Sequence, residues 1–236
     1  MPIYGHRARI GYACPPRVAE VFAYEFYKIA PPGVTLAIST VGGGRATLEA
    51  LKESFRLSVE AAEELAKTGV NSIVLGGEPL NASMGSELKA VVEDLSRRFS
   101  IPVTTSMEAQ ARALHVLNAR KIAVLRYGES YGEGDVVPDD VEVVASKSAG
   151  IAGGKLAAIP LEVPAQLARE VMKEHPEVDT IKIRTAHWGT LGVLDDLERE
   201  LNVNIVSASQ AITWEGLRQA GIKDSIQGCG RLLREH

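Results

Sequence analysis

The residues that carry chemistry in this chain gather just behind its short Val- and Ile-rich runs. They are Cys14-Pro15-Pro16-Arg17, Thr40-Val41-Gly42-Gly43-Gly44-Arg45, Gly76-Gly77-Glu78-Pro79, Thr105-Ser106, Arg126-Tyr127-Gly128, Thr185-Ala186-His187-Trp188 and Ser207-Ala208-Ser209-Gln210. Small and hydroxyl residues dominate, with a few titratable groups among them. Glycine lets a backbone approach a ligand closely, and successive N–H groups in a turn cradle an anion. The fitting chemistry is the holding of a small anion, although glycine after a strand is also ordinary turn punctuation. Neither GGGRAT nor GGEPLNASMG fits the dinucleotide pattern GxGxxG or the phosphate-loop pattern GxxxxGKS, so a nucleotide site has little support.

Charge and composition narrow the partners. The 236 residues carry 26 Lys and Arg against 30 Asp and Glu, a formal net charge of -4, which offers no broad attraction to nucleic acid or anionic lipid. With 45% apolar and 24% charged residues the chain can bury one large core or two compact ones, so disorder is not expected. No apolar run approaches the roughly 18 residues of a membrane helix, and the opening MPIYGHRARIGYACPP lacks a secretory apolar stretch. A cytoplasmic protein is expected. Cys14 and Cys229 are too few for a disulfide framework, and His6, His115, His175 and His236 form no spaced ligand set with Cys229, so no metal is expected.

The elements that must position these residues follow a strand and helix rhythm. Strands are predicted near Arg9–Ala13, Val34–Thr40, Ser72–Leu75, Pro102–Thr105, Lys121–Leu125, Val141–Ala145, Thr180–Arg184 and Asn204–Ser207. Helical spacing falls at Arg17–Ile29, Thr47–Lys67, Ser83–Arg98, Met107–Leu117, Pro164–Lys173, Leu191–Leu201 and Ala211–Gln219. Four strands precede Leu117 and four follow. This predicts an α/β chain of two pseudo-symmetric, flavodoxin-like domains, each a four-stranded parallel sheet flanked by helices. Residues 1–112 with 212–236 form the first and 113–211 the second. In such sheets ligands gather at the carboxyl ends of strands. The alternation Ile181-Lys182-Ile183-Arg184 is unusual for a buried parallel strand: it implies an exposed or edge strand, an ion-paired face, or a face that lines a site with Arg184 as a carboxylate anchor. Tyr127–Pro138, YGESYGEGDVVP, interrupts the rhythm as a surface loop or a lid.

The ordered segments GYACPP, IVLGGEPLN, IPVTTSMEAQARALHVLNARKIAVLRY and IKIRTAHWGTLGVLDDLERELNVNIVSASQAITW resemble the Asp/Glu racemase superfamily, in its arylmalonate decarboxylase and maleate cis–trans isomerase branch. The resemblance runs over nearly the whole chain. It implies two α/β domains with a site between them, working at the carbon next to a carboxylate through a cysteine after the third strand, the seventh, or both. The matching positions here are Gly77 and Thr185, neither of them cysteine. Relatives include monomers and homodimers.

What the resemblance carries over is a cofactor-independent anion pocket for a small carboxylate, with Gly76, Gly77, Thr185 and Ala186 as loop members and Tyr127 near the decarboxylases' tyrosine. Glu78 is a candidate proton-transfer group, or a helix-start carboxylate or solvated charge. His187, matching a histidine that follows the second cysteine in amino-acid racemases, is its candidate partner, or a packing histidine. Cys14 is a candidate thiol beside a helix N-terminus and Arg17, or merely a small apolar strand end. Pro15, Arg17, Gly43, Gly44, Arg126 and Arg184 complete the expected binding residues, with Arg45 a further charge partner. The leading expectation is an isomerase or lyase. Its rivals are a thiol enzyme using Cys14 and a non-catalytic small-acid binder.

Overall fold

The structure is a computed structural model that describes residues 4–43, 47–128, 137–151 and 155–236. Gly44, Arg45 and most of the Tyr127–Pro138 segment lie outside the described residues.

The first sheet joins β1 (Ala8–Cys14), β2 (Val34–Thr40), β3 (Ser72–Leu75) and β4 (Val103–Thr105), all parallel, in the order β2-β1-β3-β4. The helices α1 (Val21–Ile29), α2 (Leu48–Lys67), α3 (Glu78–Ala82), α4 (Leu88–Phe99) and α5 (Ser106–Val116) alternate with these strands along the chain. Thr47 starts α2 by accepting a hydrogen bond from the Ala50 N–H at 3.2 Å. Leu51, Phe55, Ala62 and Leu65 then recur at helical spacing and meet Ala13, Ile73 and Leu75 of the sheet in one core. Each large side chain buried there contributes about 1.5–3 kcal/mol.

The second sheet repeats the permutation. It joins β5 (Lys121–Arg126), β6 (Glu142–Ser148), β7 (Thr180–Ile183) and β8 (Asn204–Ser207), again parallel, in the order β6-β5-β7-β8. The helices α6 (Glu162–Glu174), α7 (Leu194–Leu201), α8 (Ala208–Gln219) and α9 (Arg231–Glu235) follow in the chain. Ile122, Val124, Ile181, Ile205 and Val206 are buried, whereas β6 leaves Glu142 and Val143 exposed, as an edge strand does. The two four-stranded parallel sheets with flanking helices are the α/β architecture expected from the sequence.

Three expectations are revised. The strand β7 is not an edge: β5 and β8 pair with it on either side, and Lys182 is only 1% exposed. A charged residue in an alternating pattern is here interior. The helix α1 begins at Val21, four residues later than predicted, after the Pro15-Pro16 pair. Contacts also divide the chain differently. One unit holds Met1–Ala19, Phe26–Ala109 and Ile212–Asp224, and the other holds Glu20–Glu25, Gln110–Ala211 and Ser225–His236. The final twelve residues leave the first unit because polar groups of the second hold them. Gly230 N donates to Asp195 at 2.6 Å, Arg231 N to Glu198 at 2.7 Å, and Gln210 Nε2 to the Cys229 carbonyl at 2.7 Å.

Candidate functional site

Within the first unit the loops behind β1, β2 and β3 meet. Gly76 N donates to the Ala13 carbonyl at 2.9 Å, Val41 N to the Cys14 carbonyl at 2.8 Å, and Gly42 N to the Pro15 carbonyl at 2.9 Å. Pro15 is buried against the two glycines. A Cβ on Gly76 would lie 2.8 Å from the Ala13 carbonyl, and one on Gly77 would lie 2.7 Å from the Pro15 ring. Gly77 also has a φ of 86°, a conformation free to glycine and costly to others. Close approach and backbone hand thus both require glycine here. Glu78 follows as the first residue of α3 and is 7% exposed, so the helix-start description fits its place. Asn81 of α3 accepts from the Ser106 hydroxyl at 2.8 Å, while its own Nδ2 finds no acceptor among the described residues.

The remaining expected residues of this unit divide. The exposed Arg17 lays its side chain along Gly42, and Gly43 lies against Ser54. Cys14 ends β1 at 0% exposure, and the helix N-terminus invoked for its thiol lies further along the chain, at Val21. A thiol so enclosed is placed as a small apolar strand end is.

In the second unit the equivalent turn follows β7. Arg184 is 8% exposed, Thr185 is half-buried, Ala186 is buried and His187 is half-buried. Thr185 has a φ of 78°, within ten degrees of Gly77. For a β-branched residue this is a strained backbone, costing of order 1–3 kcal/mol. The other described non-glycine residues with positive φ, Ser100, Asn118 and Asn202, follow the ends of α4, α5 and α7, where such geometry is routine. The Thr185 turn is closed by the Trp188 N–H on the Thr185 carbonyl at 3.1 Å.

Aromatic rings pack around that turn. Tyr127 meets Trp188 edge-on with centroids 6.4 Å apart, and Phe22 lies 6.4 Å from the His187 ring. Trp188 is 0% exposed, and its indole N–H has no acceptor among the described residues. Arg126, by contrast, donates to the Ser146 hydroxyl of β6 at 2.7 Å, which engages it along the sheet.

Sequence reasoning passed over Asn81 and Glu25, and named Trp188 in the turn behind β7 without giving it a role. Asn81 and Trp188 carry the buried donors, and Glu25 anchors the loop behind β7 through Thr190 N and Leu191 N, at 2.7 and 2.8 Å. Glu25 had a readable signal: Phe22, Glu25, Phe26 and Ile29 form one helical stripe, with a single charge on an apolar face. Among the described residues no group of three His, Cys, Asp or Glu could hold a metal, and no helix is long and apolar enough to cross a membrane.

Known proteins are similar to this chain in sequence and in fold. The arylmalonate decarboxylase of Bordetella bronchiseptica is 26% identical over 216 residues, spanning 86% of this chain and 88% of that protein. The structure of unliganded arylmalonate decarboxylase superposes with a TM-score of 0.81 at 24% identity, over 97% of this chain and all of that one. The Nocardia farcinica maleate cis–trans isomerase bound to Tris superposes with a TM-score of 0.82 at 18% identity, over 97% and 98%. A profile of the arylmalonate decarboxylase family matches residues 32–233, most of the sequence, and the chain therefore belongs to that family.

Proposed function

We propose that this chain is a cytoplasmic lyase or isomerase acting alpha to the carboxylate of a small carboxylic or dicarboxylic acid, without a cofactor. The observation that carries the reading is the pair of equivalent turns. Behind β3 and behind β7 the second residue is left-handed, and each turn is followed within four residues by a buried donor without an acceptor among the described residues. Such donors suit the oxygens of a carboxylate, or of the enediolate that forms when its neighbouring carbon gains an electron pair. The named relatives support the chemistry, since one decarboxylates arylmalonates and another isomerises maleate.

In the decarboxylation form, the bond between the α-carbon and one carboxylate breaks and CO₂ leaves. The bonding pair spreads onto the retained carboxylate as an enediolate, and a proton then arrives at the α-carbon. Each turn supplies one proton-transfer candidate, Glu78 from the first and His187 from the second. Thr185 stands where the resemblance puts a cysteine, and a threonine hydroxyl is too weak an acid to act as that thiol does. Its part is to donate a hydrogen bond to the enediolate, with Tyr127 beside it.

The test is CO₂ release and α-proton exchange in D₂O with phenylmalonate, maleate and related acids. Glu78→Gln and His187→Asn are expected to lower kcat by about 10²- to 10⁴-fold. Near wild-type turnover in both would remove the pair. Cys14→Ala should retain activity; its loss would favour the thiol route. The absence of cysteine at residues 77 and 185 favours one other reading, a non-catalytic small-acid binder. Binding with neither CO₂ release, exchange nor isomerisation would select it.

A further inference from the structure

We propose that Glu25 is a positioning residue of the candidate site: its buried carboxylate clamps the loop from Thr185 to Leu191 and so keeps the second turn left-handed. The inference rests on the reading of that turn as an anion-holding element. Glu25 lies on α1 and is 4% exposed. One carboxylate oxygen accepts from Thr190 N at 2.7 Å and Leu191 N at 2.8 Å, and the other accepts from the Ser209 hydroxyl of α8. Leu191 opens the short helical turn Leu191–Val193 that leads into α7. The carboxylate therefore meets the first N–H groups of a helical segment, which have no acceptor within the segment itself.

The loop is held at both ends. At one end β7 and the Trp188-to-Thr185 hydrogen bond fix the turn; at the other Glu25 fixes Thr190 and Leu191. Gly189 passes close over the carboxylate, where a Cβ would lie 3.9 Å from it. The same helix reaches the middle of the loop through Phe22, beside the His187 ring. A strained conformation such as that of Thr185 persists only where its surroundings over-determine it. Packing of α1 does not itself call for a charge at position 25. Phe22, Phe26 and Ile29 fill that face with apolar side chains. What an apolar residue cannot supply is an acceptor for the loop.

The experiment compares Glu25→Leu with Ser209→Ala by amide NMR and by phenylmalonate decarboxylation. Glu25→Leu, which removes the acceptor, is expected to displace the Thr185–Trp188 amide signals while those of Gly76–Glu78 stay in place. It should also lower kcat roughly 10- to 100-fold with KM within about threefold, as a misplaced reacting group does. Ser209→Ala keeps both backbone bonds and should lower kcat less than about threefold. Unmoved Thr185–Trp188 signals with wild-type kcat in Glu25→Leu would overturn the proposal. Should the wild type release no CO₂ from phenylmalonate, the proposed function suffers and the amide signals alone decide the role of Glu25. Where Glu25→Leu does not fold, Glu25→Asp, one methylene too short to reach the loop, must displace the same signals.

Discussion

The turns behind β3 and β7 adopt the same backbone hand by different means. Gly77 takes a φ of 86° without cost, in a place so narrow that Pro15 leaves no room for a side chain. Thr185 takes 78° against its own side chain and is held there by a closing hydrogen bond and an anchored loop. The first turn is left-handed because of which residue it contains. The second is left-handed because of what surrounds it. One geometry thus stands at two equivalent strand ends, once against local preference.

The comparison breaks most readily at Gly76. Its Cβ would meet the Ala13 carbonyl, a backbone atom that cannot swing aside, so Gly76→Ala should destabilise by about 3 kcal/mol in urea unfolding. Gly77→Ala should cost about 2 kcal/mol, from the positive φ and the Pro15 ring together. Thr185→Gly should change stability in the opposite direction, raising it by about 1 kcal/mol, while lowering activity through the lost hydroxyl. A loss of stability there would mean that Thr185 is not strained.

The smallest effect concerns Cys229. Burial, aided by the charges of Asp195 and Glu25, pushes its thiol up from 9.0 to about 11. The folded protein therefore holds that proton more tightly than the unfolded chain, and this group's contribution to stability is lost as pH rises from about 9 through 11. Because burial is the larger cause, Glu25→Gln should lower the thiol pKa while leaving it above its ordinary value, read from thiolate absorbance. No change would place the Glu25 charge too far from Cys229 to act on it.

Much of this was legible in the sequence. Val34–Thr40, Ser72–Leu75 and Asn204–Ser207 are strands with the bounds read from their β-branched runs. The chemistry-bearing turns follow strand ends, as parallel sheets dictate. What escaped depends on tertiary context. Lys182 suggested an exposed strand because local pattern does not record that β5 and β8 flank it. Ser225–His236 went with its sequence neighbours because hydrogen bonds to Asp195, Glu198 and Gln210 are long-range. A positive φ at Thr185 has no local signature, since threonine disfavours it. Glu25 did leave one, a charge in an apolar stripe, whose meaning emerges only with the loop it binds.

The claim that both turns hold a small acid is tested most directly by following backbone amide signals while phenylmalonate is added to the wild-type protein. The account predicts saturable shifts at both Gly76–Glu78 and Thr185–Trp188. Shifts confined to one turn, or to neither, would contradict it.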